Sequence, residues 1–224
     1  STGSKIAYRY LPAKEDTKPY PIIYLHGGPG GFITDQQVAF FGQLNVLGHS
    51  VYLYDQIGSG NSERLENIGE YTATRHLADL EAIIKKIDAE KVILAGQSWG
   101  AILATMYAAE HAEKVEKLVL LCPGPLAPFN YKLAQEKAPD SLNLKQPWHT
   151  NREANDKMRT WRSTATQYIA IKFLEKLATD EEADAFQAHL NYELQKSTVV
   201  DSTKLPPVTY GGGYYVQQMT MASI

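Results

Sequence analysis

The sequence has one cysteine in 224 residues and no long apolar run. The single Cys122 excludes an internal disulfide, and its apolar surroundings predict a buried side chain. No apolar stretch approaches the ~18 residues that span a membrane, so we expect no membrane partner. The 22 basic and 25 acidic residues give a net charge of −3, which provides no basic surface for nucleic acid. We therefore expect a soluble protein whose partner is a small molecule or peptide. We expect a cytoplasmic location, and periplasmic and secreted locations are the open alternatives.

Motifs for metals and cofactors are also missing. There is no H-E-x-x-H sequence, no cluster of cysteine and histidine, and no dinucleotide-binding fingerprint. We expect neither a metal nor an organic cofactor.

Short β-forming segments alternate with helical patterns through residue 124. Each predicted strand is rich in Ile, Val, Leu or Tyr and is bounded by Gly, Pro or Asp; the strands are Lys5–Leu11, Tyr20–Leu25, Ser50–Asp55, Lys91–Ala95 and Lys117–Cys122. Apolar residues from Leu77 to Ile87 recur at helical spacing, and another helix is predicted directly after Ser98. This alternation predicts an α/β fold, with a mostly parallel sheet and helices on both faces.

The composition changes after Pro123. The following residues are polar and favour helices, and the candidate helices are Tyr131–Ala138, Asn151–Ser163, Thr166–Ala178 and Asp180–Lys196. We therefore divide the chain into a core (1–124), a helical cap (125–205) and a segment that returns toward the core (206–224).

Gly96-Gln97-Ser98-Trp99-Gly100 forms a G-x-S-x-G pattern between a predicted strand and a predicted helix. A serine in such a turn adopts a strained backbone, and side chains at the flanking positions would collide with the neighbouring strand and helix. This context favours a nucleophile over a plain helix-capping serine.

The stretch "YLHGGPGG" (24–31) fits the other half of an acyl-transfer site. The oxyanion needs two donors, and we assign them to the amides of Trp99 and of Gly28, with Gly27 as the alternative. His26 is interpreted as a structural tie for this loop rather than as a general base, because the base of this arrangement follows the nucleophile along the chain.

The stretch "DQIGSGNS" (55–62) lacks the G-K-[ST] of a phosphate loop. We interpret it as a turn at a strand end. Asp55 precedes the nucleophile, so bracing of a loop is favoured over a role as catalytic acid.

Together, "HGGPG", "DQIGSGNS" and "GQSWG" resemble the proline iminopeptidase family of α/β-hydrolase serine peptidases. The resemblance implies that Ser98 is the nucleophile and that Gly28 and Trp99 form the oxyanion hole. It also implies a small peptide substrate whose ammonium group is held by cap carboxylates. Glu193 is our candidate for that role over Glu175, Glu181 and Glu182, although a solvated helix face is the alternative for each.

The Asp and His that complete a catalytic triad are not evident. Both should follow Ser98 on loops after later strands, but almost nothing strand-like follows Cys122. None of the six histidines lies in such a turn, and Asp201 is a weak candidate for the acid. We therefore expect that the C-terminal part of the core is missing from this chain.

Two explanations for the missing residues remain open. A piece of a longer hydrolase is favoured over a remnant that binds without reacting, and we expect the chain alone to be inactive. Its uncovered sheet edge would invite self-association or the binding of a complementary segment. A carboxylesterase or lactonase activity on the same core is the alternative chemistry.

Overall fold

The structure, a computed structural model, describes residues 2–14, 17–124, 159–198, 203 and 205–223. Within these ranges a five-stranded sheet has the order β1-β3-β2-β4-β5. The strands are β1 (Tyr8–Leu11), β2 (Ile22–Leu25), β3 (Val51–Tyr54), β4 (Val92–Gln97) and β5 (Val115–Leu121). Strand β1 is antiparallel to β3, and the other neighbouring pairs are parallel. The predicted α/β fold with a mostly parallel sheet is confirmed.

Helices cover both faces of this sheet. The described helices are α1 (Asp35–Gly42), α2 (Ala73–Ile87), α3 (Trp99–Glu110), α4 (Trp161–Phe173), α5 (Asp180–Thr198) and α6 (Tyr214–Ala222). Helices α2 and α3 pack on one face, where Ile23 and Leu25 of β2 contribute to the core. Helix α1 packs on the other face, which receives Ile22 and Tyr24. Because alternate residues of β2 enter different clusters, the whole strand is buried and its sequence is continuously apolar.

Helix α6 returns the chain to the core. It packs against α4, α5 and the single helical turn Ile68–Glu70, and together they bury a third apolar cluster. Ser223, at the end of α6, accepts a hydrogen bond from the Ala73 amide of α2 at 3.0 Å. The end of α6 thus contacts α2 directly, and the division of the chain into core, cap and returning segment stays a prediction.

Three local predictions differ from the structure. Helix α4 continues through residues 164 and 165, where we predicted a gap between two helices; it begins at a capping box of Thr160 and ends at Leu174, which has a left-handed conformation. Helix α1 was not predicted, although Thr34 and Gln37 form a second capping box at its start. Cys122 is exposed, not buried, because it follows β5, which pairs only with β4 among the described strands.

Other predictions lie outside the described residues. They are the helix Tyr131–Ala138 and the first eight residues of the helix Asn151–Ser163. In the parts of the chain that the structure describes, no helix has the length and apolar character needed to cross a membrane.

Candidate active site

Ser98 lies in a sharp turn between the end of β4 and the start of α3. Its backbone angles are φ 51° and ψ −114°, a conformation that costs about 1–3 kcal/mol for a residue with a side chain. The Ser98 amide donates to the Leu121 carbonyl at 3.0 Å, and the Ser98 carbonyl accepts from the Ala101 amide at 3.0 Å. These bonds hold the strained residue between strand and helix. Within the described residues the Ser98 hydroxyl, which is half-buried, makes no hydrogen bond.

The two glycines of the G-x-S-x-G pattern leave no space for side chains. A Cβ at Gly100 would overlap the Leu25 carbonyl and lie 2.6 Å from the Leu25 carbonyl carbon. A Cβ at Gly96 would overlap the Gly100 carbonyl and lie 2.6 Å from the Ala101 Cα. The predicted steric reason for both glycines is confirmed, since β2, β4 and α3 meet backbone to backbone at this turn.

The loop of residues 27–31, called the glycine loop below, lies against Ser98. A Cβ at Gly27 would be 3.1 Å from the Ser98 Cβ and 3.7 Å from its Oγ. Gly28 is exposed and has φ 123°, which residues with side chains rarely adopt. Among the described residues, neither the Gly28 amide nor the Trp99 amide donates to any acceptor. An oxyanion hole requires two N–H groups that have no other acceptor, and these two amides meet that condition.

The glycine loop is held by one hydrogen bond within it and by hydrogen bonds of Asp55 next to it. The Gly31 amide donates to the Gly27 carbonyl at 3.1 Å. Asp55 accepts from the Ile33 amide at 2.7 Å through Oδ1 and from the Asn61 amide at 2.9 Å through Oδ2. The bracing role predicted for Asp55 is therefore confirmed, and its carboxylate is occupied by backbone amides.

His26 is a buried tie under the same loop. Its Nε2 accepts from the Gln56 amide at 2.9 Å, so its Nδ1 carries the proton and donates to the Gly27 carbonyl at 2.9 Å. Burial lowers the pKa of His26, because desolvation of the imidazolium outweighs the hydrogen bond to Gly27 and the charge of Asp55. Both ring nitrogens are engaged, which confirms the structural interpretation of His26.

Gln56 is a buried residue to which the sequence patterns assign no role. Its Oε1 accepts from the Trp99 indole nitrogen at 2.8 Å, and its Nε2 donates to the His26 carbonyl at 2.9 Å. It therefore links the loop after β3 to β2 and to the first residue of α3. The sequence signal is a polar residue between the end of a buried strand and the apolar Ile57, but the pattern does not indicate its partners.

The other described histidines have partners elsewhere, and no imidazole is hydrogen-bonded to Ser98 in the described ranges. The observed contacts are His49 with the Tyr20 carbonyl, His76 with Thr220, His111 with the Tyr107 ring and His189 with the Tyr210 hydroxyl. His149 and Asp201 lie outside the described residues.

The candidate carboxylates of the cap lie on or next to α5 and are partly solvated. Glu193 forms an ion pair with Lys196 one turn away at 3.5 Å, and its side chain is 40% exposed. Glu182 pairs with Arg162 of α4 at 2.9 Å. The substrate-binding role of Glu193 stays a prediction.

A cavity of about 110 Å³ lies between the glycine loop, α5 and the segment that precedes α6. The side chains in its lining are all uncharged: Pro29, Phe32, Gln187, Ala188, Asn191, Thr209 and Gln217. Glu193 is not among the residues that line it. A second cavity, of about 250 Å³, lies between α4 and α5, with Arg162 and Glu182 among its lining residues.

Comparisons with known proteins agree with this architecture. Residues 20–223 match the family described as alpha/beta hydrolase fold. The proline iminopeptidase of Lactobacillus delbrueckii subsp. lactis is 35% identical over 133 residues, covering 52% of this chain and 44% of that protein. The proline iminopeptidase of Clostridioides difficile (strain 630) is 33% identical over 119 residues, covering 53% and 40%. The chain spans less than half the length of these curated relatives.

Solved structures show the same fold at lower identity. The epoxide hydrolase of Bacillus megaterium in complex with an inhibitor superposes with a TM-score of 0.58 at 14% identity, covering 97% of this chain and 68% of that one. A carboxylesterase structure from Nitrososphaera gargenis gives 0.54 at 19% identity, covering 100% and 69%. The resemblance noted from the sequence motifs is confirmed, and with the family match over most of its length the chain belongs to the α/β-hydrolase fold family.

Proposed function

We propose that this chain carries the nucleophile and oxyanion hole of a serine aminopeptidase that releases an N-terminal residue, of the proline type, from small peptides. The observation that carries the proposal is the junction of Ser98 with the glycine loop. A strained serine with an unengaged hydroxyl lies against Gly27, and the amides of Gly28 and Trp99 have no other acceptor within the described residues.

In the proposed reaction, the Ser98 Oγ attacks the carbonyl carbon of the N-terminal residue while a general base takes its proton. The carbonyl oxygen becomes an oxyanion, which accepts hydrogen bonds from the Gly28 and Trp99 amides. The C–N bond then breaks, and the leaving amine takes the proton from the base. Water attacks the resulting acyl-enzyme in the same way and releases the free residue.

The general base has to come from outside the described residues. No described imidazole is hydrogen-bonded to Ser98, and the buried His26 already uses both ring nitrogens. We therefore expect the 224-residue chain alone to be inactive or to retain only a residual rate, as is typical when a triad member is lost.

The peptidase assignment is supported by the proline iminopeptidases that match the chain at 33–35% identity. In this proposal α4 and α5 belong to a helical cap over the site. Glu193 remains our candidate for holding the substrate ammonium. Its ion pair with Lys196 is partly exposed, so a substrate ammonium group could replace Lys196 as the partner of the carboxylate.

The experiment compares the full-length protein with its Ser98→Ala variant on proline and alanine arylamides and on a p-nitrophenyl ester. Arylamide hydrolysis that Ser98→Ala abolishes supports the aminopeptidase. A fluorophosphonate probe gives an independent measurement, because only an activated serine is labelled. No Ser98-dependent labelling would instead support a protein that binds without reacting.

A second candidate is an esterase or lactonase that uses the same nucleophile. The cavity that borders Gly28 is consistent with such a substrate, because no carboxylate lines it to hold an ammonium group, although Ser98 is not among its lining residues. Ester hydrolysis without arylamidase activity in the experiment above would establish this candidate and exclude the peptidase.

A further inference from the structure

The three glycines before α6 pack closely against the glycine loop. The Gly213 amide donates to the Gly30 carbonyl at 2.8 Å, and the Gly60 amide donates to the Gly211 carbonyl at 2.7 Å. A Cβ at Gly30 would overlap the Gly213 carbonyl. The segment 211–213, called the triglycine segment below, therefore touches the loop that carries the proposed oxyanion donor.

Hydrogen bonds connect this segment to Gly28 through consecutive peptide groups. Gly30 and Gly31 share one peptide group. Its carbonyl, that of Gly30, accepts from the Gly213 amide, and its N–H, that of Gly31, donates to the Gly27 carbonyl at 3.1 Å. The Gly27 carbonyl belongs to the same planar peptide group as the Gly28 N–H. The bond from Gly213 thus helps to set the direction of the Gly28 N–H, with one further peptide group between them.

A partly buried ion pair between Arg64 and Asp184 lies at the triglycine end of this series of hydrogen bonds. Arg64 follows the "DQIGSGNS" turn, and its Nη2 lies 2.9 Å from Oδ2 of Asp184 on α5. The same Nη2 donates a long bond of 3.5 Å to the Gly212 carbonyl, which shares a peptide group with the Gly213 N–H. Asp184 in turn accepts from the Tyr214 amide at 2.7 Å through Oδ1. Two side chains therefore hold the triglycine segment on both sides of the Gly213 amide.

The pair is poorly solvated. The side chains of Arg64 and Asp184 are 23% and 16% exposed, and burial raises the pKa of Asp184 despite the hydrogen bond from Tyr214 and the charge of Arg64. Such pairs stabilise a fold weakly but can specify one arrangement among several. The bonds of Arg64 to the Gly60 and Ser62 carbonyls, both 3.4 Å, add to that definition.

We propose that Arg64 and Asp184 are positioning residues that orient the Gly28 N–H through the triglycine segment. The consequence for catalysis rests on the proposed function, whereas the orientation of the loop does not.

The test uses Asp184→Asn, which keeps an oxygen for the Tyr214 amide but removes the charge that faces Arg64. Asp180→Asn is the matched control, because Asp180 lies on the same helix in an ion pair with Lys176 at 2.7 Å and 17–21% exposure. Amide resonances and hydrogen exchange of Gly28, Gly31 and Gly213 are measured by ¹⁵N NMR in the full chain. If Asp184→Asn does not fold, Arg64→Lys replaces it, since lysine keeps the charge but loses the forked contacts.

We expect Asp184→Asn to shift the Gly213, Gly31 and Gly28 resonances and to raise the exchange rate of the Gly31 amide about tenfold, with no such effect of Asp180→Asn. In the full-length enzyme kcat should fall about tenfold with little change in KM, less than the ~10²–10³ lost when a donor is removed outright. Perturbations that stop at Tyr214 and Gly213 would overturn the proposal whatever the activity. An unaltered kcat beside shifted loop resonances would overturn its catalytic part, and an inactive wild-type enzyme would refute the proposed function alone.

Discussion

The close contacts of single residues decide the geometry of the Ser98 turn. At Gly100 an added Cβ would collide with the backbone of Leu25, which cannot move without disturbing β2. We expect Gly100→Ala to lower the free energy of unfolding by at least the ~1–3 kcal/mol typical of overpacking. Urea denaturation measures the change.

Gly42 provides the control for this substitution. It ends α1 with φ −60°, and its Cβ would make only an ordinary contact with Leu11 at 3.6 Å. Gly42→Ala should therefore leave stability unchanged or raise it by up to ~1 kcal/mol, because alanine favours the helix. Equal losses in the two variants would contradict the steric account of the Ser98 turn.

Two buried histidines make stability depend on pH. Desolvation lowers the pKa of His26 and brings that of His76 to about 3. Since both folded pKa values lie below the unfolded value of ~6.5, the unfolded chain binds protons first as the pH falls. Their contribution is complete above pH ~6.5 and is lost below it, by up to ~1.4 kcal/mol per histidine for each pH unit.

Unfolding curves between pH 6.5 and pH 5 measure this slope. This pH range lies above the pKa values of most carboxyl groups. His76→Asn should reduce this slope by the equivalent of about one bound proton. His189→Asn, at the exposed contact with Tyr210, should leave the slope unchanged. A slope that His76→Asn does not alter would show that His76 is protonated in the folded state.

At the scale of elements, a tyrosine hydroxyl joins α6 to the start of α5. The Tyr215 hydroxyl donates to the Ala178 carbonyl at 2.7 Å and accepts from the Ala178 amide at 3.2 Å, and both groups are buried. Tyr215→Phe leaves a buried N–H and a buried C=O without a partner, so we expect a loss of about 1–3 kcal/mol. Tyr168→Phe, on the exposed side of α4, should change stability by less than ~0.5 kcal/mol. Indistinguishable denaturation midpoints would refute this account of how α6 is held.

The sequence predicted elements well where short-range signals govern them. The turn at Ser98 and the glycine loop were identified because glycines at fixed spacing between a strand and a helix report local sterics. Helix α1 was missed although the capping box of Thr34 and Gln37 was readable, because its short apolar pattern gave little periodicity.

Contacts between distant elements could not be predicted in this way. Arg64 and Asp184 are separated by 120 positions, and no periodicity or motif relates them. Gln56 and Trp99, 43 positions apart, show the same limit. A short segment of sequence determines local steric constraints, whereas contacts between distant residues can be assigned only once the topology is known.

At the scale of the whole molecule, β5 differs from the strands inside the sheet. Among the described strands it pairs only with β4, and Leu118, Val119 and Leu121 on it are 36–43% exposed. An unpaired strand edge with apolar side chains offers backbone donors and acceptors to another chain. The same edge accounts for the exposure of Cys122.

We therefore expect the 224-residue chain to self-associate through β5 as its concentration rises. Val119→Lys should reduce this association, because a charged lysine on an edge strand opposes pairing with a second strand. Leu47→Lys is the control, since Leu47 is 63% exposed but lies in a turn rather than on the sheet edge. Sedimentation velocity over a wide concentration range measures the outcome. A chain that stays monomeric throughout, or lysine variants that behave alike, would show that β5 does not drive association; relief by Val119→Lys alone would locate the contact at this edge.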